Sequence, residues 1–380
     1  MVNPETAVAR LARPFHSNIL SLLTCLLILI SVATSCTWMG KENDPEDLSS
    51  TGNEAARGNL SVDQGSQVAD TARAKEELKR AEELFRKNDD DAALKAVSEA
   101  IRLDPNLKEA YEVRGSIRQL KEDYEGAVAD CTRALEIDPS YADGHRCRAE
   151  SYLYIGDLDR AFEDISNAIR LNSENSNYFY TRGRIYVGRR EDDKALADFE
   201  KAISLYARHS FAFLRIGMIY QRRMKFRDAI KSYTEALEIN PKFSSALAKR
   251  GTCYYEVGEL DSAFTDVNKA IQVEEPNYEA YNTRGIVYLK RNELDKALSD
   301  FQRVIELEPD EVYGYANRGE VYFEMGKCEL AIEDFNKTVQ MTPKYKDAYR
   351  MRAICYRRLG EPAKAAADEA ELRKLNSSSN

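Results

Sequence analysis

The chain has 380 residues, of which 43% are hydrophobic and 31% are charged, and its formal net charge is −9. This composition predicts a water-soluble, helical protein. The sequence has no basic stripe, which argues against a nucleic-acid partner, because such a partner requires a surface that neutralises phosphates.

Residues 1–35 have the parts of an export signal. Arg10 and Arg13 precede an apolar run over residues 19–33, and small residues lead up to Cys36. This ending resembles the lipobox of bacterial lipoproteins, and the resemblance implies that Cys36 becomes the lipidated first residue of the mature chain. Two alternatives remain open, namely ordinary signal cleavage at the same bond and a membrane-spanning anchor.

Residues 36–73 carry three basic and seven acidic side chains and few aliphatic ones. Such a segment cannot bury enough apolar surface to fold by itself. We therefore predict a flexible acidic tether that holds the following domain away from a membrane.

A 34-residue period runs through the rest of the chain. Small residues recur at this period: Ala81, Gly115, Ala149, Gly183, Gly217, Gly251, Gly285, Gly319 and Ala353. An Ala follows each of them twelve residues later: Ala93, Ala127, Ala161, Ala195, Ala229, Ala263, Ala297, Ala331 and Ala365. In the unit 278–311, Tyr281, Gly285 and Tyr288 fall on one helical face, and Ala297 with Phe301 repeats the spacing. The spacing therefore predicts a pair of helices in each unit.

This pattern resembles the tetratricopeptide repeat, and the likeness covers Ala74 to Ser379 without an insertion. The resemblance implies an all-α fold, a right-handed α-solenoid of nine stacked helix-turn-helix repeats. One pair of helices cannot bury its apolar face alone, so stacked repeats share a continuous core. The repeats are expected at 74–107, 108–141, 142–175, 176–209, 210–243, 244–277, 278–311, 312–345 and 346–379.

An Arg and an Asp recur sixteen residues apart in most of the repeats, whereas the fifth repeat has Ile216 and Ser232 at these positions. Pairing within a repeat leaves fewer unmatched residues than pairing with the next repeat. We therefore predict seven ion pairs between the two helices of a repeat: Arg114–Asp130, Arg148–Asp164, Arg182–Asp198, Arg250–Asp266, Arg284–Asp300, Arg318–Asp334 and Arg352–Asp368. Independent surface charges of little energetic weight are the alternative.

The sequence contains no catalytic or metal-binding motif. The three His lie in unrelated contexts, and HExxH, CxxC and Gly-rich phosphate loops are absent. We expect no enzymatic activity, no metal and no cofactor. Five of the seven Cys lie in the repeats, and this odd number does not fit a disulfide scaffold. Cys131 with Cys147 is the only pair that we expect to be joined.

In this family the first helix of each repeat lines a concave groove that takes peptides or partner helices. The first helix of the fifth repeat is apolar nearly all round, which is typical either of an interface or of a buried helix. The predicted partner-binding patch comprises Tyr180, Arg184, Val187, Phe211, Leu214, Met218 and Arg222. Coverage of this patch by neighbouring repeats is the alternative.

These features predict a non-catalytic scaffold that is anchored to a membrane of the cell envelope and binds segments of other proteins in its groove. Two alternatives remain open. The chain could be a homo-oligomeric structural element, or it could be an accessory subunit of an enzyme or a transport machine.

Overall fold

The computed structural model describes residues 55–273 and 277–377. In these ranges all regular structure is α-helical and no strand is present, so the predicted all-α class is confirmed. The predicted signal (1–35), the lipidation candidate Cys36 and residues 37–54 lie outside the described residues. The helices are α1 (Ala55–Arg86), α2 (Asp90–Leu103), α3 (Lys108–Leu120), α4 (Tyr124–Ile137), α5 (Ala142–Ile155), α6 (Leu158–Leu171), α7 (Ser176–Gly188), α8 (Asp192–Leu205), α9 (Ser210–Arg222), α10 (Phe226–Ile239), α11 (Ser244–Glu256), α12 (Leu260–Gln272), α13 (Tyr278–Lys290), α14 (Leu294–Leu307), α15 (Val312–Glu324), α16 (Cys328–Met341), α17 (Lys346–Arg358) and α18 (Pro362–Ser377).

The chain divides into two compact units, and each is a series of helical hairpins. Unit 1 ends at Ser173 and contains α1 to α6, and unit 2 begins at Glu174 and contains α7 to α18. Within each unit, helices that follow one another in the chain pack side by side. We number the hairpins repeat 1 (α1 and α2) to repeat 9 (α17 and α18), with an odd-numbered first helix and an even-numbered second helix.

A residue with a left-handed backbone ends the first helix of every repeat. These nine residues are Asn88, Glu122, Gly156, Arg190, Met224, Gly258, Asn292, Gly326 and Gly360. Their φ angles lie between 57° and 89°. A side chain with a Cβ is strained in this conformation by roughly 1 kcal/mol, which glycine avoids. The chain thus reverses at the same place in each repeat, whichever residue stands there.

A side chain of the second helix fills the space over the small residue of the first helix. A Cβ added to Gly285 would lie 2.7 Å from the ring of Phe301, and one added to Gly217 would lie 2.5 Å from the ring of Tyr233. In repeat 2 the same space over Gly115 holds sulfur instead, because Cys131 and Cys147 Sγ would each lie 2.9 Å from the added Cβ. The two helices can therefore approach closely because Gly has no side chain at this position.

Helix α1 begins at Ala55, so residues 55–73 are helical and the prediction of a flexible tether is wrong for this part. The segment is too polar to fold by itself, but it continues a helix that is already held in place by buried Ala74 and Leu78. Extending a formed helix costs far less than nucleating one.

None of the helices in the described ranges is long and apolar enough to cross a membrane.

Candidate functional site

From α9 onward, the first helices of unit 2 lie close to one another along one side of the stack. Contacts join α9 with α11, α11 with α13, α13 with α15 and α15 with α17. In the part of unit 2 that the structure describes, no two second helices make contacts of similar extent. These first helices, from α9 to α17, therefore form the inner surface of unit 2, and a partner that lies along the repeats would meet them.

Three apolar residues of the predicted patch are covered. Phe211 and Leu214 are each only 4% exposed, and Tyr180 is 2% exposed. The ring of Phe243, which precedes the next repeat, packs edge-on against Phe211 at 4.9 Å between centroids. Tyr180 lies against the imidazole of His209 at 4.8 Å. The structure therefore places these three side chains in the core and not on an exposed anchoring surface.

The other four residues of the patch lie nearer to solvent. Val187 and Met218 are half-buried, and Arg222 is exposed. The guanidinium of Arg222 is paired with the carboxylate of Asp192, which lies in repeat 4. The guanidinium of Arg184 lies 6.0 Å from the centre of the Tyr180 ring. A partner could reach this part of the patch without a rearrangement of the core.

Arg215, which the sequence did not single out, lies beside Leu214 on the same helix. It is half-buried, and its Nε is buried without a hydrogen-bond partner. The described residues place no carboxylate within ion-pair distance of it. One repeat later, Lys249 occupies the equivalent place and donates to both carboxylate oxygens of Glu279, at 2.8 and 2.9 Å. Ser245 stands where an equivalent of Glu279 would be, so Arg215 lacks the acceptor that Lys249 has.

His209, in unit 2, is a buried residue with a polar atom that has no hydrogen-bond partner. Its Nδ1 accepts a hydrogen bond from the backbone N–H of Ala212 at 3.3 Å and so caps α9, whereas its buried Nε2 has no partner. Burial lowers the pKa of His209 to about 4, because the imidazolium would be poorly solvated there. The imidazole is thus neutral at physiological pH, with its proton on Nε2.

The structure brings together all seven Arg–Asp pairs that the spacing predicts. In each pair Nε and Nη2 of the Arg donate to the two carboxylate oxygens, at 2.6–2.9 Å. The Asp side chains are buried and the Arg side chains are half-buried. Paired in this two-pronged way, both oxygens of each buried carboxylate have charged donors. The hydrogen bonds that Arg284 donates to Asp300, for example, raise the pKa of Arg284.

These arginines make a further contact that was not predicted from the sequence. In five repeats Nη1 donates to a polar side chain of the preceding repeat: Arg148 to Thr132, Arg250 to Thr234, Arg284 to Asn268, Arg318 to Gln302 and Arg352 to Asn336. The spacing between these acceptors is also 34 residues or a multiple of 34, so the period could have predicted them. Each such arginine therefore links two repeats as well as two helices.

A disulfide joins Cys131 of α4 to Cys147 of α5, with 5.9 Å between the two Cα atoms, and so connects repeats 2 and 3. The other three cysteines of the repeats, Cys253, Cys328 and Cys355, are buried thiols. No group of His, Cys, Asp or Glu in the described ranges has the arrangement of a metal site.

Comparisons with known proteins agree on the type of repeat. Models of the tetratricopeptide repeat match residues 78–142 and 148–210, 210–243, and 284–354, which together cover more than half of the chain. No curated protein matches the chain. A chain of the APC/C hetero-tetramer Cut9–Hcn1 is 15% identical, with 80% of this chain and 73% of that chain covered and a TM-score of 0.56. PilF of Pseudomonas aeruginosa is 21% identical, with 56% of this chain and 97% of that chain covered and a TM-score of 0.51.

At these identities the two structures show a shared fold and nothing about shared partners. The matched models, the 34-residue period and the helical hairpins all lead to one conclusion: the chain is a member of the tetratricopeptide-repeat family.

Proposed function

We propose that the chain is a non-catalytic scaffold that binds a segment of another protein on the inner surface of unit 2. Proteins with tetratricopeptide repeats mediate protein–protein interactions in general, so the class of function follows from the family. The observation that carries the finer proposal is Arg215, a half-buried cation without an acceptor on that surface. A carboxylate of the partner segment supplies the missing acceptor.

The surroundings of Arg215 favour an extended or helical segment with an acidic residue. A guanidinium that is partly removed from water gains most from a charged acceptor, because hydrogen bonds to charged groups are about twice as strong as neutral ones. The half-buried side chains of Met218 and Val187 lie on the first helices of successive repeats and offer apolar contact for the rest of the segment. The partner therefore carries an Asp or Glu next to apolar residues.

A displayed peptide library selected on the purified chain tests this proposal. We expect enrichment of peptides with an acidic residue beside apolar ones. The substitution Arg215→Ala should weaken binding of a selected peptide by roughly 10- to 100-fold, because it removes a hydrogen bond to a charged group. Lys231→Ala is the matched control, since Lys231 is an exposed cation on a second helix of the same repeat. Equal losses in the two variants, or selection without acidic residues, would contradict the proposal.

We also propose that the scaffold is anchored in the cell envelope through a lipid on Cys36. The apolar run over residues 19–33 and the small residues before Cys36 support an exported, lipidated chain. The disulfide Cys131–Cys147 gives independent support, because disulfides persist outside the reducing cytoplasm.

Incorporation of labelled palmitate in a bacterial host, with membrane fractionation, tests the anchor. The native chain should be labelled, and Cys36→Ala should lose the label. If neither chain is labelled and the uncleaved chain stays in the membrane fraction, the first residues are a spanning anchor and the lipid proposal is wrong.

A further inference from the structure

The first helices of repeats 4, 5 and 6 carry many cations and almost no acid. Helices α7, α9 and α11 together contain six Arg and Lys residues and one carboxylate, Glu256. Four of the six cations are paired with carboxylates of other helices. Glu256 ends α11, about 16 Å along the helix from Ser245 near its start, because each residue adds about 1.5 Å. These three helices therefore offer Arg215 no acceptor of their own.

The place of the missing acceptor follows from the next boundary along the stack. There Lys249 of α11 donates to both carboxylate oxygens of Glu279, the second residue of α13. Arg215 precedes Lys249 by one 34-residue period, and Ser245 precedes Glu279 by the same period. The apolar packing agrees with this register, because the residue before Arg215 and the two residues after Ser245 belong to one buried cluster.

Ser245 leaves both a space and a donor at this place. Compared with Glu, Ser lacks one methylene group and has a hydroxyl where the longer side chain continues to its carboxylate. Ser245 is half-buried, and its hydroxyl makes no hydrogen bond to the described residues. Helices α9 and α11 approach each other less extensively than α11 and α13 do, so the backbones do not close this space. The space therefore suits a group of the size of acetate.

We propose that Arg215 and Ser245 together bind one carboxylate of the partner, in the place that corresponds to the carboxylate of Glu279 beside Lys249. This inference rests on the proposed function and adds a second donor to the site. The guanidinium donates its N–H groups and the hydroxyl donates its O–H, so that both carboxylate oxygens have donors. Helices of two successive repeats supply the two donors, and the end of an Asp or Glu side chain of the partner fills the space.

Titration of the full chain with a blocked aspartate tests the inference without a selected peptide. The probe is N-acetyl-aspartate α-amide, and the readout is the NMR signal of the Arg215 side-chain N–H, which is identified by its loss in Arg215→Lys. We expect this signal to move with millimolar affinity for the probe. It should stay in place when the uncharged N-acetyl-asparagine amide is added. Ser245→Ala should weaken the response roughly tenfold, because one hydrogen bond to a charged group is lost.

A second variant supplies the acceptor from within the chain. Ser245→Glu copies the arrangement of Lys249 and Glu279, so the Arg215 signal should be displaced before any addition and should no longer respond to the probe. Thr265→Glu is the matched control. It adds the same charge to the same repeat, but at an exposed place on the second helix, and should respond as the native chain does.

The inference is overturned if the Arg215 signal does not respond to the blocked aspartate, or if Ser245→Ala binds it as tightly as the native chain. A response that persists in Ser245→Glu also overturns it. The selected peptides distinguish this failure from failure of the proposed function. Peptides that need Arg215 but still bind Ser245→Glu would leave the function standing and overturn the role of Ser245. A response to blocked aspartate without any selected acidic peptide would leave the site standing and contradict the function.

Discussion

Repeats 5 and 7 have the same helical hairpin but differ in how its two helices are joined. In both, a ring of the second helix packs over a Gly of the first, Tyr233 over Gly217 and Phe301 over Gly285. Repeat 7 adds the paired Arg284 and its partner carboxylate, whereas repeat 5 has none. The packing of ring and Gly is thus the common element of the fold.

Repeat 5 has two neutral residues in place of the ion pair, and neither needs a hydrogen-bond partner on the other helix. Ile216 is buried, and the hydroxyl of buried Ser232 donates to the backbone carbonyl of Asp228 on its own helix. Neither residue leaves a polar group without a partner, so these two positions carry no unpaired charge. The comparison indicates that the ion pair adds stability to a hairpin that forms without it.

Removal of the ring should have the largest effect. Phe301→Ala should destabilise the chain by about 3–5 kcal/mol, because it removes a fully buried ring and leaves a cavity over Gly285. Tyr233→Phe in repeat 5 is the milder counterpart, since it removes only the hydrogen bond to Gln221, at 2.7 Å, and should cost about 1 kcal/mol. Urea denaturation measures the loss of stability in both variants. Equal losses would show that the packing of the ring over Gly is not what holds the hairpin together.

The His209 cap should make repeat 5 sensitive to acid. The unfolded chain takes up a proton at His209 near its ordinary pKa of 6.5, whereas the folded chain takes it up only near pH 4. The stability contributed by the neutral imidazole is therefore present above pH 6.5 and is lost as the pH falls towards 4, by about 3 kcal/mol in all. His209→Asn keeps a capping oxygen that does not titrate, so its stability should fall less over this range. Parallel pH curves for the two chains would contradict this prediction.

Breaking the ion pair of repeat 7 should have a smaller effect. Arg284→Ala should cost about 1–3 kcal/mol, because it leaves the buried carboxylate of Asp300 unpaired. The double change Arg284→Ile with Asp300→Ser copies repeat 5 and should recover most of that loss. Thermal denaturation of the native chain, of Arg284→Ala and of the double variant measures this recovery. A double variant as unstable as Arg284→Ala would show that repeat 5 depends on other neighbours.

The turns should give the smallest change, and here the change is a gain. Met224 of repeat 5 and Asn292 of repeat 7 both have a left-handed backbone, with φ of 57° and 59°. Met224→Gly should stabilise the chain by roughly 1 kcal/mol, since the exposed side chain has little contact to lose. Asn292→Gly should gain less, because Asn tolerates this conformation better than Met. Urea denaturation measures both gains in stability. Equal gains from the two substitutions would contradict the expected difference between Met and Asn.

The sequence predicted most of the fold because a fixed period determines which side chains share a helical face. The all-α class and the partner of each arginine followed from spacing alone, as Arg284 with Asp300 illustrates. The helical segment before Ala74 was missed because it depends on the folded helix that it continues. Its own composition gave no sign of this.

The candidate site was less predictable. Spacing placed Phe211 and Leu214 on the correct helix, but it could not show that Phe243, from the end of the repeat, would cover Phe211. Arg215 escaped notice because its significance lies in a missing partner. That absence becomes visible only when its place is compared with that of Lys249 one repeat later.

The link from each arginine to the preceding repeat has a consequence for how such a chain can change its length. Arg250 reaches Thr234 and Arg284 reaches Asn268, and the two acceptors occupy the same place in successive repeats. Excision of residues 244–277 would therefore remove Arg250 and bring Arg284 opposite Thr234, the side chain that accepts the hydrogen bond from Arg250 in the intact chain. A gene can thus lose or duplicate such a segment by recombination, and the new junction keeps its donor and its acceptor.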